Sequence, residues 1–145
     1  MFMKRIIIIG VFLCFLFGLM AFTNNNSSMD KGGETATIEN ELAGLWRDSN
    51  NTVFKNSSII FSVEGSNIEM LHYMEWKGQP FVEKGRGKIY GRKLDYFVLV
   101  THSIPGWALT GEHFLTLSAD GRTLRGAYED ELGNLGVLVF KKVGK

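Results

Sequence analysis

The chain has 145 residues, of which 45% are hydrophobic and 21% are charged, and its formal net charge is +1. This length allows one small domain with a leader, and the near-neutral charge argues against a nucleic-acid-binding protein, which would be clearly basic. The 1 cysteine excludes a disulfide framework and a CxxC metal or redox site, and the sequence contains no Gly-rich phosphate loop, HExxH or GxSxG motif.

The first 23 residues have the layout of an export signal peptide. Lys4 and Arg5 form a positive n-region, and residues 6–22 form an apolar run that ends abruptly at a polar stretch. The alternative is an uncleaved anchor, although the run is shorter than the roughly 20 residues that span a bilayer comfortably. Both interpretations export the rest of the chain to the periplasm or the extracellular space, and the membrane is contacted only through the leader if it stays uncleaved.

The remainder of the chain divides into a polar segment and a patterned domain. Residues 24–37 lack the apolar side chains that would offset the entropy of ordering them, so we predict a flexible tether. The domain is predicted over residues 38–145, beginning with a helical turn at residues 38–43 and continuing with period-two alternation. The predicted strands cover residues 45–47, 58–64, 68–76, 81–90, 94–101, 107–118, 123–129 and 135–142.

Eight consecutive strands with mostly short links predict an all-β fold, an eight-stranded up-and-down antiparallel barrel, with a β-sandwich as the alternative. The links at residues 65–67, 91–93 and 119–122 are tight, and they share one end of such a barrel. The other links are longer or less regular and share the opposite end. This asymmetry predicts a cup with a closed floor and an open mouth, whose loops would carry the function.

The residues Gly44-Leu45-Trp46 resemble the G-x-W signature of the lipocalin/avidin (calycin) superfamily. In that superfamily the tryptophan closes the floor of the barrel, and a basic residue at the end of the last strand covers it. Lys141 or Lys142 stands at the matching place, and Arg125 is near the same end. The resemblance, over residues 42–142, implies a barrel that binds a small, usually apolar molecule in its interior.

Aromatic side chains, most of which carry a polar atom, are predicted to surround the mouth. They lie at strand ends that face the irregular links, and they are Trp76, Phe81, His102, Trp107 and Tyr128. Such a ring suits a small-molecule pocket. The alternative is that these side chains plug the barrel end as core.

Polar side chains are also predicted inside the barrel. The 68–76 strand turns one face inward, which carries Met70, His72, Met74 and Trp76. We predict a hairpin that pairs Trp76 with Phe81, and in that register His72 lies diagonal to Glu83. A His–Glu pair in the interior could orient a ligand or act as an acid and a base.

A second interior row is predicted on the following strands. Pairing His102 with Trp107 places Tyr96 opposite His113, and Tyr128 can continue the row on the next strand. The histidines lie on three different strands, but their spacing matches no metal motif, so no metal and no cofactor are predicted.

The sequence therefore predicts an exported lipocalin-like protein that binds a small, largely apolar ligand. The candidate ligand contacts are Met70, His72, Met74, Trp76, Phe81, Glu83, Tyr96, His102, Trp107, His113 and Tyr128. A second hypothesis is a module that binds or inhibits another envelope protein, which an exposed apolar patch on the outer wall would support. A third is a barrel cyclase or isomerase that uses His113, but without a catalytic motif the sequence favours binding over catalysis.

Overall fold

A computed structural model describes residues 31–50 and 54–144, with side chains described from Thr37 onward. The predicted export signal and residues 24–30 of the predicted tether lie outside the described residues. The described chain begins with helix α1 (Lys31–Leu42) and continues with eight strands. The strands are β1 (Gly44–Asp48), β2 (Phe54–Glu64), β3 (Asn67–Trp76), β4 (Gln79–Tyr90), β5 (Lys93–His102), β6 (Thr110–Leu117), β7 (Thr123–Asp130) and β8 (Leu135–Lys142).

The eight strands form a closed antiparallel barrel in which each strand pairs with the next. Closure is made by β1 and β8, where Trp46 lies opposite Lys142 and Asp48 lies opposite Phe140. Every second side chain of β5 and β6 is buried along most of their length, as period-two alternation requires of a wall with one face inward. The predicted up-and-down antiparallel barrel is confirmed, and the β-sandwich alternative is wrong.

Helix α1 is longer than the predicted helical turn, and it overlaps the end of the predicted tether at residues 31–37. Its buried side chains Ile38 and Leu42 pack into the barrel core, so tertiary contacts rather than local composition hold its C-terminal half in place. No helix within residues 31–50 and 54–144 is long and apolar enough to cross a membrane.

Trp46 and Lys142 close the floor of the barrel beneath α1. Trp46 is fully buried, and its Nε1 donates a hydrogen bond of 2.8 Å to the carbonyl oxygen of Leu42. The Lys142 Nζ lies 5.4 Å from the centroid of the Trp46 ring. It also donates to the carbonyl oxygens of Asn40, at 3.2 Å, and of Glu41. These donors satisfy carbonyls that the last turn of a helix leaves unpaired, and the positive charge suits the helix C-terminus.

A side chain from one of the floor turns also holds α1 in place. Arg92, in the β4–β5 turn, pairs with Glu41 of α1 at 2.7 Å and donates to the carbonyl oxygens of Leu117, at 3.2 Å, and of Ser118. Lys141 instead reaches Thr123 at the exposed surface, so Lys142 occupies the place that the resemblance assigns to the covering basic residue. The floor is therefore closed by α1, which the contacts of Lys142 and Arg92 hold in place.

The barrel interior contains two separate apolar clusters. The floor cluster packs against α1 and includes Trp46, Phe61, Met70, Leu94, Leu115, Leu138 and Phe140. The mouth cluster consists of Met74, Phe81, Val100 and Ile104, with Phe54, Trp76 and Trp107 packed against it. Ile104 and Trp107 belong to the β5–β6 link, which the sequence pattern assigned partly to a strand starting at residue 107. This link folds over the mouth and narrows it.

The β3–β4 hairpin has a different register from the predicted one. Trp76 pairs with Gln79, not Phe81, because Lys77 and Gly78 form a two-residue turn with positive φ values of 50° and 77°. The register therefore moves by an even number of residues, which leaves every side chain on its predicted face. It also brings His72 directly opposite Glu83 instead of diagonal to it.

Candidate functional site

A layer of buried polar side chains lies between the floor cluster and the mouth cluster. It contains Ser57, His72, Glu83 and His113, whose exposures are 4%, 3%, 6% and 5%. Burying polar groups is unfavourable unless they are hydrogen-bonded, so this layer is the part of the core that packing alone does not explain.

Strand β2 places Ser57 in this layer, on the same inward face as Ile59 and Phe61. The β2–β3 pairing shifts register between Lys55 and Ser58, and Asn56 within the shift has a φ of 52°. The extra residue changes the phase of the strand before the bulge, so that Phe54 also reaches the inner mouth side. Ser57 Oγ lies 2.9 Å from His72 Nε2. Ser57 is absent from the sequence prediction because the predicted strand starts one residue later, at residue 58.

His72 and Glu83 form a close contact that leaves both groups incompletely satisfied. His72 Nδ1 lies 3.3 Å from Glu83 Oε2, but the two atoms are not aligned as a hydrogen bond. Within the described residues, neither buried atom has a hydrogen-bond partner. Such atoms are rare in native interiors, and a ligand or ordered water that supplies the missing bond is the usual explanation.

The predicted Tyr–His–Tyr row is present. Tyr96 pairs with His113 and His113 pairs with Tyr128 in the predicted register, and the ring centroids are 5.1 Å and 6.1 Å apart. Tyr96 Oη lies 3.1 Å from His113 Nδ1. The row crosses three strands on the inner wall of the barrel.

The surroundings of Tyr96 and His113 determine the protonation states of these two side chains. Burial raises the pKa of Tyr96 well above its usual value, and the negative charge of Glu83 adds to that effect. Burial lowers the pKa of His113 from 6.5 to about 4; Glu83 opposes this shift and His72 reinforces it. At neutral pH both side chains are therefore uncharged, and one hydrogen bond joins Tyr96 Oη and His113 Nδ1.

A cavity of about 200 Å³ opens above the polar layer on the mouth side of the barrel. Six of the predicted contacts line it, namely His72, Met74, Glu83, Trp107, His113 and Tyr128. The sequence prediction missed its other lining residues, which are Asp48, Asn50, Phe54, Gly136, Val137 and Leu138. Among the described lining residues, two are acidic and none is lysine or arginine.

The other predicted contacts lie elsewhere. Met70, Phe81 and Tyr96 are buried in the wall and core, and the half-buried Trp76 packs against Trp107 with a centroid separation of 5.5 Å. Phe81 thus matches the alternative that the mouth aromatics act as core.

His102, which was also predicted at the mouth, is not among the residues that line the cavity. His102 is exposed at the end of β5, where a register irregularity between Val82 and Glu83 disturbs its pairing with β4. Within the described part of the chain, no three His, Cys, Asp or Glu side chains lie close enough together to hold a metal ion.

Gly136 lets the ring of Tyr128 lie across the inner wall. The two residues pair across β7 and β8, and a Cβ atom at residue 136 would lie 2.3 Å from Tyr128 Cε1. A glycine inside a strand is a recognisable sign of such a close approach, so this contact was open to prediction from the sequence.

Comparisons with known proteins bear on the fold alone. No family model matches the chain, and no curated protein matches it. A solved structure described as that of a redesigned β-barrel is similar, with a TM-score of 0.59 and 13% identity over 77% of this chain and 96% of that chain. That similarity agrees with the closed eight-stranded barrel and says nothing about a ligand.

Proposed function

We propose that this protein is a binding protein that holds one small molecule in the mouth-side cavity. The observation that carries the proposal is the pair of unsatisfied buried atoms, His72 Nδ1 and Glu83 Oε2, on residues that line an existing cavity. A cavity with a few polar groups at its base and apolar walls is the usual form of a small-molecule site.

The volume limits the ligand. A cavity of about 200 Å³ is below the roughly 300–1,000 Å³ of pockets for drug-sized molecules, whereas an apolar cavity of about 150 Å³ suffices for benzene. We therefore expect a ligand with about one ring. Its largely apolar body would pack against Phe54, Met74, Trp107 and Leu138.

We propose further that the protein is lipocalin-like and exported, to the periplasm or the extracellular space. The G-x-W sequence, with Lys142 over the Trp46 ring at the floor, supports the family resemblance. The positive n-region and apolar run of residues 1–23 support export. Fractionation of cells that make the protein, with N-terminal sequencing of the exported form, tests the leader.

Native mass spectrometry of the protein purified from its own host tests the binding function. We expect a mass excess equal to one small molecule, which the Leu138→Trp variant loses because the indole fills the cavity. Leu135→Trp is the matched control, since residue 135 lies on the same strand with an exposure of 72%. An apo mass for the parent, together with no binding of one-ring probes, would contradict the proposal.

An apolar row on the outer wall favours a second candidate function, the binding of an envelope protein. Leu45, Ile60 and Leu71 are cross-strand neighbours on β1, β2 and β3, and their exposures are 38%, 50% and 51%. A photo-crosslinking residue at position 71 tests it in the host, with position 84 on the neighbouring strand as the control. A discrete adduct at position 71 alone would support this candidate, and adducts at neither position would reject it.

A further inference from the structure

We propose that the ligand is a small organic cation, an amine whose ammonium group binds the Glu83 carboxylate while its apolar body lies against the aromatic side chains of the mouth. This inference rests on the proposed function, because it needs the cavity to be the ligand site.

The charges that face the cavity favour a cation. Asp48 lies at the rim and Glu83 at the base, and none of the described lining residues is lysine or arginine. The nearby His113 is neutral at pH 7, since burial lowers its pKa to about 4. An anionic ligand would meet two carboxylates with no lysine or arginine among the described lining residues, in a site where little water screens the repulsion.

Glu83 supplies the specific contact. Its side chain is 8% exposed, it lines the cavity, and its Oε2 lacks a hydrogen-bond partner within the described chain. A carboxylate accepts several hydrogen bonds, so the nearby His72 leaves room for a further donor. An ammonium N–H makes a charge-assisted hydrogen bond to this carboxylate, whereas an apolar ligand offers it no donor.

The walls suit the rest of such a molecule. Phe54, Trp107 and Tyr128 line the cavity, and the rings of Phe54 and Trp107 are 5.5 Å apart in an edge-to-face arrangement. Aromatic faces attract cations and also pack against an apolar ring. The cavity therefore combines a buried acceptor at its base with apolar and π surface above it, which matches a one-ring amine.

An NMR titration of the full chain at pH 7 tests the inference, with the methyl group of Met74 as the reporter because it lines the cavity. The probes are benzylamine, its neutral analogue ethylbenzene, and the anion phenylacetate. We expect benzylamine to bind at least tenfold more tightly than either analogue. Glu83→Gln should remove this preference, and Glu112→Gln, an exposed glutamate beside His113 on β6, should keep it.

The outcomes separate the two proposals. Ethylbenzene binding as tightly as benzylamine would overturn the amine inference and leave the binding function standing. Failure of all three probes to shift the Met74 signal would count against both. Should Glu83→Gln fail to fold, benzyl alcohol, a neutral hydrogen-bond donor of similar size, is titrated into the parent protein, and equal affinities for benzyl alcohol and benzylamine would then overturn the inference.

Discussion

His72 and Glu83 stand directly opposite each other on β3 and β4, with 3.3 Å between Nδ1 and Oε2 in the interior of the barrel. Buried ionisable pairs often add little to stability, because desolvation offsets their attraction. A pair of this kind between two apolar clusters is therefore better explained by ligand binding than by folding. That explanation makes a prediction about stability.

Replacing both members of the pair should be tolerated better than replacing one. Glu83→Met alone should lower the free energy of unfolding by about 3 kcal/mol, because it leaves His72 buried without its carboxylate. The double variant His72→Leu/Glu83→Met should recover most of that loss and still fail to bind the ligand. Urea denaturation with a ligand titration measures both effects. A double variant less stable than the single one would show that the pair serves the fold.

The pKa of His113 predicts a pH dependence of stability. Its folded-state pKa is about 4, below the ordinary 6.5, so the unfolded chain takes up the proton first as the pH falls. The contribution of neutral His113 is complete above pH 6.5 and is lost as the pH falls towards 4. It corresponds to about 3 kcal/mol across that window.

His113→Gln should therefore flatten the decline in unfolding free energy between pH 7 and pH 4.5 by about 2–3 kcal/mol. His102→Gln is the control, because that histidine is exposed and should leave the pH profile unchanged. Denaturation midpoints at a series of pH values measure the slope. Equal slopes for the parent and His113→Gln would mean that His113 protonates as readily in the fold as in the unfolded chain.

The barrel was predictable from the sequence because alternation and turn residues recur along the chain. The face of each predicted interior residue was predictable for the same reason, and the Tyr96–His113 register followed from the predicted pairing of His102 with Trp107. Two local features were not. The bulge at Asn56, which lets Phe54 reach the inner side, interrupts the period without a glycine to mark it. The lining residue Phe54 lies before the predicted start of its strand.

The closure of the floor was only partly predictable. The G-x-W resemblance pointed to Trp46 and to a basic residue near the end of the chain. It did not reveal that Lys142 also caps the carbonyls of α1, because the tertiary contacts of a helix leave little trace in its own composition.

Lys142 should contribute more to the free energy of unfolding than its neighbour Lys141. Lys142→Met removes charge-assisted hydrogen bonds to the end of α1 and the cation above Trp46, and we expect a loss of about 1–2 kcal/mol. Lys141→Met should change stability by less than about 0.5 kcal/mol, since Lys141 is a surface residue whose hydrogen bond to Thr123 is exposed. Urea denaturation at neutral pH compares the two. Equal losses would contradict the capping role.

Gly136→Ala tests the wall of the cavity. The added methyl group would overlap the Tyr128 ring, so we expect the ring to move, stability to fall by about 1–3 kcal/mol and ligand affinity to fall with it. Adding Tyr128→Ser should restore stability but not affinity, and Leu135→Ala on the same strand serves as the control. Additive effects of the two substitutions on stability would mean that residue 136 does not position the ring.

The most direct test of the account is the location of a bound one-ring probe by intermolecular nuclear Overhauser effects in the full chain. The account predicts contacts from benzylamine or ethylbenzene to the methyl groups of Met74 and Leu138, which line the cavity. Contacts confined to Ile60 and Leu71 on the outer wall, or no contacts at millimolar probe, would contradict it.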